Sequence, residues 1–188
     1  MILNYILKNW IEIVGALLSL IYLYLSINQR VSLWFYGIIS SLFYIVVFYN
    51  SKLYADMSLQ FYYVIISIYG WINWKTIKND SNVELNIIRI TKKDIIISIF
   101  ATVIIYFMYY LVLAKYTDSI IPKSDALVGA LSIIGTWMLA KKYIENWLVW
   151  IVADSLCIGI YAFKGLYPTV ILFVIYTLMA YIGYKKWK

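Results

Sequence analysis

Residues 53–75 read LYADMSLQFYYVIISIYGWINWK, and residues 166–188 read LYPTVILFVIYTLMAYIGYKKWK. At a constant offset of 113 and without a gap, Leu53, Tyr54, Leu59, Tyr63, Gly70, Trp74 and Lys75 fall on the identical Leu166, Tyr167, Leu172, Tyr176, Gly183, Trp187 and Lys188. A second echo, Val14-Gly15-Ala16-Leu17 against Val128-Gly129-Ala130-Leu131, runs at an offset of 114 and carries the duplication toward the start of each half. In a membrane chain such symmetry points to a carrier architecture, because two similar bundles can rock about a site held between them.

The membrane assignment rests on composition and run length. Of 188 residues, 64% are hydrophobic and 13% charged, and the mean hydropathy is +0.82, far too apolar for a soluble domain of ordinary balance. A helix crosses a bilayer core with roughly 20 apolar residues. Seven segments approach that length: 11–27, 31–49, 56–74, 94–114, 125–140, 147–163 and 167–184. Their long apolar runs lack the alternation of barrel strands, so they predict helices.

The expected fold is therefore an all-α integral membrane protein with seven transmembrane helices. It comprises a first three-helix bundle over 11–75, a cytoplasmic loop and linker helix over 76–114, and a second three-helix bundle over 125–188. Because four spans separate the first helix from its repeat, both halves enter the membrane from the same side, as parallel repeats. That 3+1+3 arrangement is SWEET-like. The longest polar stretch, Thr76 to Asp94, reads as a hinge or surface loop.

Basic residues orient the chain. One side carries Lys8, Lys52, Lys115, Lys123 and Lys164; the other carries Arg30, Lys75, Lys78, Arg89, Lys92, Lys93, Lys141, Lys142, Lys185, Lys186 and Lys188. The positive-inside rule puts the N-terminus outside and the C-terminus in the cytoplasm. The net charge of +7 follows from this bias and does not point to nucleic acid, since the basic residues sit at helix ends. There is no histidine, and Cys157 is the single cysteine, which excludes a zinc or haem site, a disulfide framework and a His-based triad built from this chain alone. No Gly-rich phosphate loop is present, so ATP hydrolysis is not an intrinsic power source; no cofactor and no enzymatic activity are expected. The first apolar stretch lacks a convincing cleavage site and recurs in part as a span, so it reads as retained rather than as a signal peptide.

Chemistry concentrates in the sixth span. Trp147, Trp150, Asp154 and Tyr161 are spaced by three, four and seven, along one helix face. A mid-span carboxylate costs roughly 2.5 to 3.5 kcal/mol on insertion scales, so Asp154 should face a cavity or a partner helix. Aromatic faces beside one negative charge suit a flat cationic solute, each cation–π contact contributing about 0.5 to 2 kcal/mol. On the third span Gln60, Tyr63, Ser67, Gly70 or Trp71, and Trp74 form a second polar face, whose repeat positions are Phe173, Tyr176, Ala180, Gly183 and Trp187. Tyr63 and Tyr176 are expected at the solute. Gly70 and Gly183 read as helix-packing positions, and Trp74 and Trp187, beside lysines, as aromatic-belt residues.

These residues resemble the PnuC family of vitamin transporters. Leu53-Tyr54-Ala55-Asp56-Met57, Leu59-Gln60, Tyr69-Gly70-Trp71 and Trp74 look like its third core helix. Lys142, Glu145-Asn146-Trp147, Trp150, Asp154, Tyr161, Lys164-Gly165-Leu166-Tyr167, Gly183 and Trp187 are similar to its second half in order and spacing. The most specific part, Trp147-x-x-Trp150-x-x-x-Asp154, matches the family's substrate-binding pattern of two tryptophans followed by Asn or Asp. The resemblance implies a SWEET-like fold in a bacterial inner membrane and uptake of nicotinamide riboside or, in the PnuT branch, thiamine. It implies a substrate-binding set of Trp34, Gln60, Tyr63, Thr136, Trp137, Asn146, Trp147, Trp150, Asp154 and Tyr176. Nicotinamide riboside carriers often have glutamine where this chain has Thr136 and asparagine where it has Asp154; these departures tilt the expectation toward thiamine. With few acidic groups inside the spans, the expected mechanism is facilitated diffusion with trapping of the vitamin by a cytoplasmic kinase. A sugar carrier of the SWEET kind and a membrane receptor or channel are the alternatives.

Overall fold

The computed structural model describes residues 10–50, 54–81 and 86–188. Lys8, Lys52, Leu53 and the stretch 82–85, which enter the readings above, lie outside the described residues. Seven helices follow: α1 (Trp10–Ile27), α2 (Leu33–Asn50), α3 (Tyr54–Ser81), α4 (Lys92–Tyr116), α5 (Pro122–Ala140), α6 (Asn146–Phe163) and α7 (Tyr167–Trp187). Four of them, α2, α4, α6 and α7, are long and apolar enough to cross a membrane by length and composition alone. The chain forms two compact units, residues Met1–Asn82 and Val83–Lys188. In the first, α1 packs on α2 and α2 on α3; in the second, α4 packs on α5, α5 on α6 and α6 on α7.

Each unit is built on the same local device. α1 ends in a Schellman-type turn, with Gln29 at φ 54° and hydrogen bonds from Gln29 N to Ser26 O (3.0 Å) and from Arg30 N to Leu25 O (3.0 Å). α5 ends identically at the 113-shifted positions, with Lys142 at φ 56° and bonds from Lys142 N to Leu139 O (2.9 Å) and from Tyr143 N to Met138 O (3.0 Å). Each turn reverses the chain and delivers a tryptophan into the bundle one residue inside the next helix. Trp34 then meets Trp74 edge-on at 5.4 Å and 86°, and Trp147 meets Trp187 at 5.4 Å and 87°.

A glycine makes room for each ring. A Cβ on Gly70 would fall within 2.6 Å of the Trp34 ring, and one on Gly183 would stand 2.7 Å from three atoms of the Trp147 ring. Trp74 and Trp187 are accordingly 2% and 4% exposed. The aromatic-belt reading of these two residues gives way: an aromatic in the belt presents its ring at the membrane surface, whereas these rings are enclosed by the preceding helix.

Two further differences from the sequence reading concern the polar stretch between the third and fourth spans. α3 runs on to Ser81, because no Pro or Gly interrupts the segment after Trp74. The part preceding α4 is bonded to the α5–α6 turn rather than standing free. Ile88 N donates to Lys142 O at 3.1 Å and Ile144 N to Ile88 O at 3.1 Å, as a parallel bridge. Ile90 N donates to Glu145 Oε2 at 2.9 Å, and Tyr143 Oη to Asp94 Oδ2 at 2.7 Å. Ile144, 5% exposed, thereby finds in this segment the acceptor that a buried backbone donor demands.

Gly70→Ala and Gly183→Ala should each lower the apparent unfolding temperature in detergent, through overpacking of about 1 to 3 kcal/mol against a tryptophan. Gly159→Ala, at a position with nothing within 4 Å of the added carbon, should leave it unchanged or slightly higher.

Candidate functional site

α6 carries the candidate face. Trp147, Asp154 and Cys157 are buried, with Trp150 and Tyr161 partly buried beside them. The 3.6-residue period aligns these positions. Cys157, three residues beyond Asp154, belongs to this row; its spacing was the available sequence signal, and its lack of an obvious role in recognising a cation hid it.

Trp150 rests on α5. A Cβ on Gly135 would meet the Trp150 indole at 3.2 Å, so the ring packs against the bare backbone of that glycine. In the first unit the same helix pair uses the opposite arrangement: the position equivalent to Trp150 is Gly37, and it is covered by Tyr22, the equivalent of Gly135, at 3.0 Å from a built Cβ. Large and small residues have exchanged helices between the repeats. Only the second unit therefore mounts an indole on its sixth-span face at this level.

Asp154 is 5% exposed, and among the described residues no hydrogen bond or ion pair reaches its carboxylate. Its repeat position is Ser41, also buried. A buried carboxylate without a partner is costly in a bundle interior, and that cost is relieved by a cation brought to it.

The other expected residues divide among several surroundings. Trp147 is 1% exposed, enclosed by Gly183 and Trp187, with its indole N–H unpartnered among the described residues. Its neighbour Asn146 is fully buried; the amide donates to Tyr143 O at 2.6 Å, and its carbonyl oxygen has no donor among the described residues. Thr136 is buried, its hydroxyl donating to Ser132 O at 2.8 Å. Trp137 lies at the α5–α6 turn, edge-on to Tyr143 at 5.9 Å and under Lys141 at 5.4 Å. Tyr176 meets Phe173 edge-on at 5.6 Å, and Phe173 stacks on Tyr161 at 5.2 Å, which ties α7 to the far end of the α6 row.

In the first unit Trp34 is fully buried in the clasp with Trp74, again with an unpartnered indole N–H among the described residues. Gln60 is partly buried on α3, and Tyr63 packs against Tyr62 at 5.8 Å. Two surface grooves, of about 390 Å³ between α2 and α3 and about 380 Å³ between α4 and α5, are lined by none of the ten expected residues. Each lies along the seam of its own helix pair.

The comparisons with known proteins follow this geometry. Residues 9–188 match the model of a family described as Nicotinamide mononucleotide transporter. The nicotinamide riboside transporter PnuC of Escherichia coli (strain K12) is 25% identical over 203 residues, spanning 95% of this chain and 85% of that protein. The protein of the same name from Neisseria mucosa is 25% identical over 190 residues, spanning 95% of this chain and 72% of its own length. A crystal structure of the vitamin B3 transporter PnuC superposes with a TM-score of 0.77 at 24% identity, covering 99% of this chain and 83% of that one. These relatives are transporters and not enzymes.

Trp147→Ala and Trp187→Ala should each destabilise the second unit by about 3 to 5 kcal/mol. In a double-mutant cycle read by denaturation in mixed micelles, the pair should fall short of additivity by about 0.5 to 1.5 kcal/mol, the worth of an edge-to-face aromatic contact.

Proposed function

The chain belongs to the nicotinamide mononucleotide transporter family, a multi-pass membrane transporter family, and from that premise we propose that it carries nicotinamide riboside across the membrane. The single observation that carries the reading is Asp154, a buried carboxylate without a described partner on the same α6 face as the Trp150 ring. Nicotinamide riboside presents a flat pyridinium cation. An indole face and a carboxylate meet both of its properties: the ring stacks, and the positive charge offsets the desolvated anion. The substrate named for the relatives supports ranking this vitamin ahead of thiamine, the reverse of the order that the family resemblance suggested.

Thiamine is the second reading, and a specific observation favours it. The Thr136 hydroxyl is committed to Ser132 O, so this helix position presents no amide to a carboxamide, which another amide would match best. Thiamine carries a cationic thiazolium ring and needs no such partner. Asn146, Trp147 and Tyr176 complete the proposed second-unit set, with Trp147 acting by holding α6 against α7. Trp34, Gln60, Tyr63 and Trp137 remain proposed members by residue chemistry.

The mechanism that fits these residues is uniport between outward-open and inward-open states. Of the acidic residues only Asp154 sits well inside a span, and it serves the solute rather than a coupling ion. Net uptake then requires consumption of the arriving vitamin, which a cytoplasmic kinase provides by adding a phosphate that cannot recross. We place the chain in a bacterial inner membrane with its N-terminus outside and its C-terminus in the cytoplasm, on the distribution of basic residues.

The test is counterflow of labelled nicotinamide riboside and thiamine into proteoliposomes with the membrane potential clamped, since a potential alone biases a cation. Wild type should exchange nicotinamide riboside without accumulating it under a proton or sodium gradient. Asp154→Ala should weaken its apparent affinity by about 10- to 100-fold, the loss expected for an interaction with a charged group. Exchange of thiamine alone would move the assignment to the second reading, and accumulation driven by either ion gradient would overturn uniport.

A further inference from the structure

Between α2 and α3 the first unit leaves a groove of about 390 Å³ lined by Ile38, Ile68, Trp71, Ile72 and Lys75. Ile68, Trp71, Ile72 and Lys75 fall at i, i+3, i+4 and i+7 of α3, so they form one apolar stripe that ends in a lysine. Ile68 and Ile72 are exposed, and Trp71, between them along the stripe, meets Phe35 of α2 edge-on at 6.2 Å. Among the described residues no hydrogen bond or ion pair reaches Lys75. Arg30 is exposed in the α1–α2 turn.

The second unit does not repeat this surface. At the positions equivalent to Ile68 and Ile72 stand Tyr181 and Lys185, and the Lys185 ammonium lies 4.9 Å over the Tyr181 ring. The apolar stripe is replaced by a tyrosine under a cation. The groove is therefore a property of the first unit and not a by-product of the helix pairing that the two repeats share.

We propose that this groove is a binding site for one anionic phospholipid, with an acyl chain along Ile68 and Ile72 and the phosphate held by Lys75. The chemistry of each part matches. An outer helix surface of a membrane protein meets acyl chains, and a concave apolar stripe fits one of them more closely than a convex face does. Lysine at the end of an apolar stripe is a side chain that settles at the headgroup level, extending its stem along apolar surface and its ammonium into the polar layer. By the positive-inside bias this end lies at the cytoplasmic leaflet, where anionic lipids attract basic side chains. The site is independent of the transported solute.

The experiment is native mass spectrometry of the purified full chain in detergent, titrated with dioleoyl-phosphatidylglycerol and, separately, dioleoyl-phosphatidylcholine at matched concentrations. Wild type should retain the anionic lipid about fivefold better than the zwitterionic one, the contribution expected of one lysine at an anionic headgroup. Lys75→Gln should bring the two lipids level. Ile72→Trp, which fills the groove while leaving the lysine in place, should remove the tightly held adduct, and Lys185→Gln should leave the preference unchanged. Equal retention of both lipids by wild type, a preference that survives Lys75→Gln, or the same loss in Lys185→Gln would overturn the proposal.

Discussion

The edge-on contact between two tryptophans, with a glycine beneath the first ring, is the interaction on which each unit depends. Trp34 with Gly70 and Trp74, and Trp147 with Gly183 and Trp187, occupy equivalent positions at an offset of 113 and reproduce one another to 5.4 Å in separation and within a degree in angle. Helix association in a bilayer lacks the hydrophobic driving force available in water and relies on close van der Waals packing, which small residues permit. A tryptophan seated on bare glycine backbone supplies that packing in one contact. The left-handed residue of the preceding turn, Gln29 or Lys142, aims the tryptophan, so turn, ring and glycine act as a unit that tolerates little independent change.

Around that conserved frame the two repeats have diverged in a way that bears on function. A symmetric frame holding an asymmetric solute requires the two faces to differ in chemistry. The exchange of Tyr22 over Gly37 for Trp150 over Gly135 moves bulk from one helix partner to the other. The same helix that gained the indole also holds Asp154 where the first repeat has Ser41. The first unit instead gathers hydroxyls, with Ser19 and Ser40 joined at 2.9 Å and Ser40 donating to Gly15 O at 3.1 Å. Polar groups that satisfy one another leave little to offer a solute; a carboxylate without a partner among the described residues, on the same helix face as an aromatic ring, offers more.

Much of this was legible in the residues. The seven helices, the duplication and the α6 row follow from run length, a constant offset and helical spacing, all local or strictly periodic signals. Three features were not legible, for a shared physical reason. The burial of Trp74 and Trp187 depends on where Trp34 and Trp147 are delivered, and the attachment of residues 88–90 to the α5–α6 turn depends on backbone pairing across more than 50 positions. The seating of Trp150 on Gly135 depends on a compensating pair that a residue-by-residue comparison of the repeats shows only as two mismatches. The sequence echo around Gly15 and Gly129 also overstated the equivalence, since Gly15 faces Tyr44 of α2 and Gly129 faces Tyr109 of α4. Identical residues there meet different neighbours because only the second unit includes the linker helix.

The central claim is that the α6 face bearing Trp150 and Asp154 receives a cationic heteroaromatic ring. The most direct measurement is intrinsic tryptophan fluorescence of the purified protein, titrated with nicotinamide riboside and with thiamine, in wild type and in Trp150→Phe. Saturable quenching by nicotinamide riboside that loses most of its amplitude in the folded Trp150→Phe variant is the expected result. Quenching of the same amplitude in both proteins, or no saturable response to either vitamin, would contradict the account.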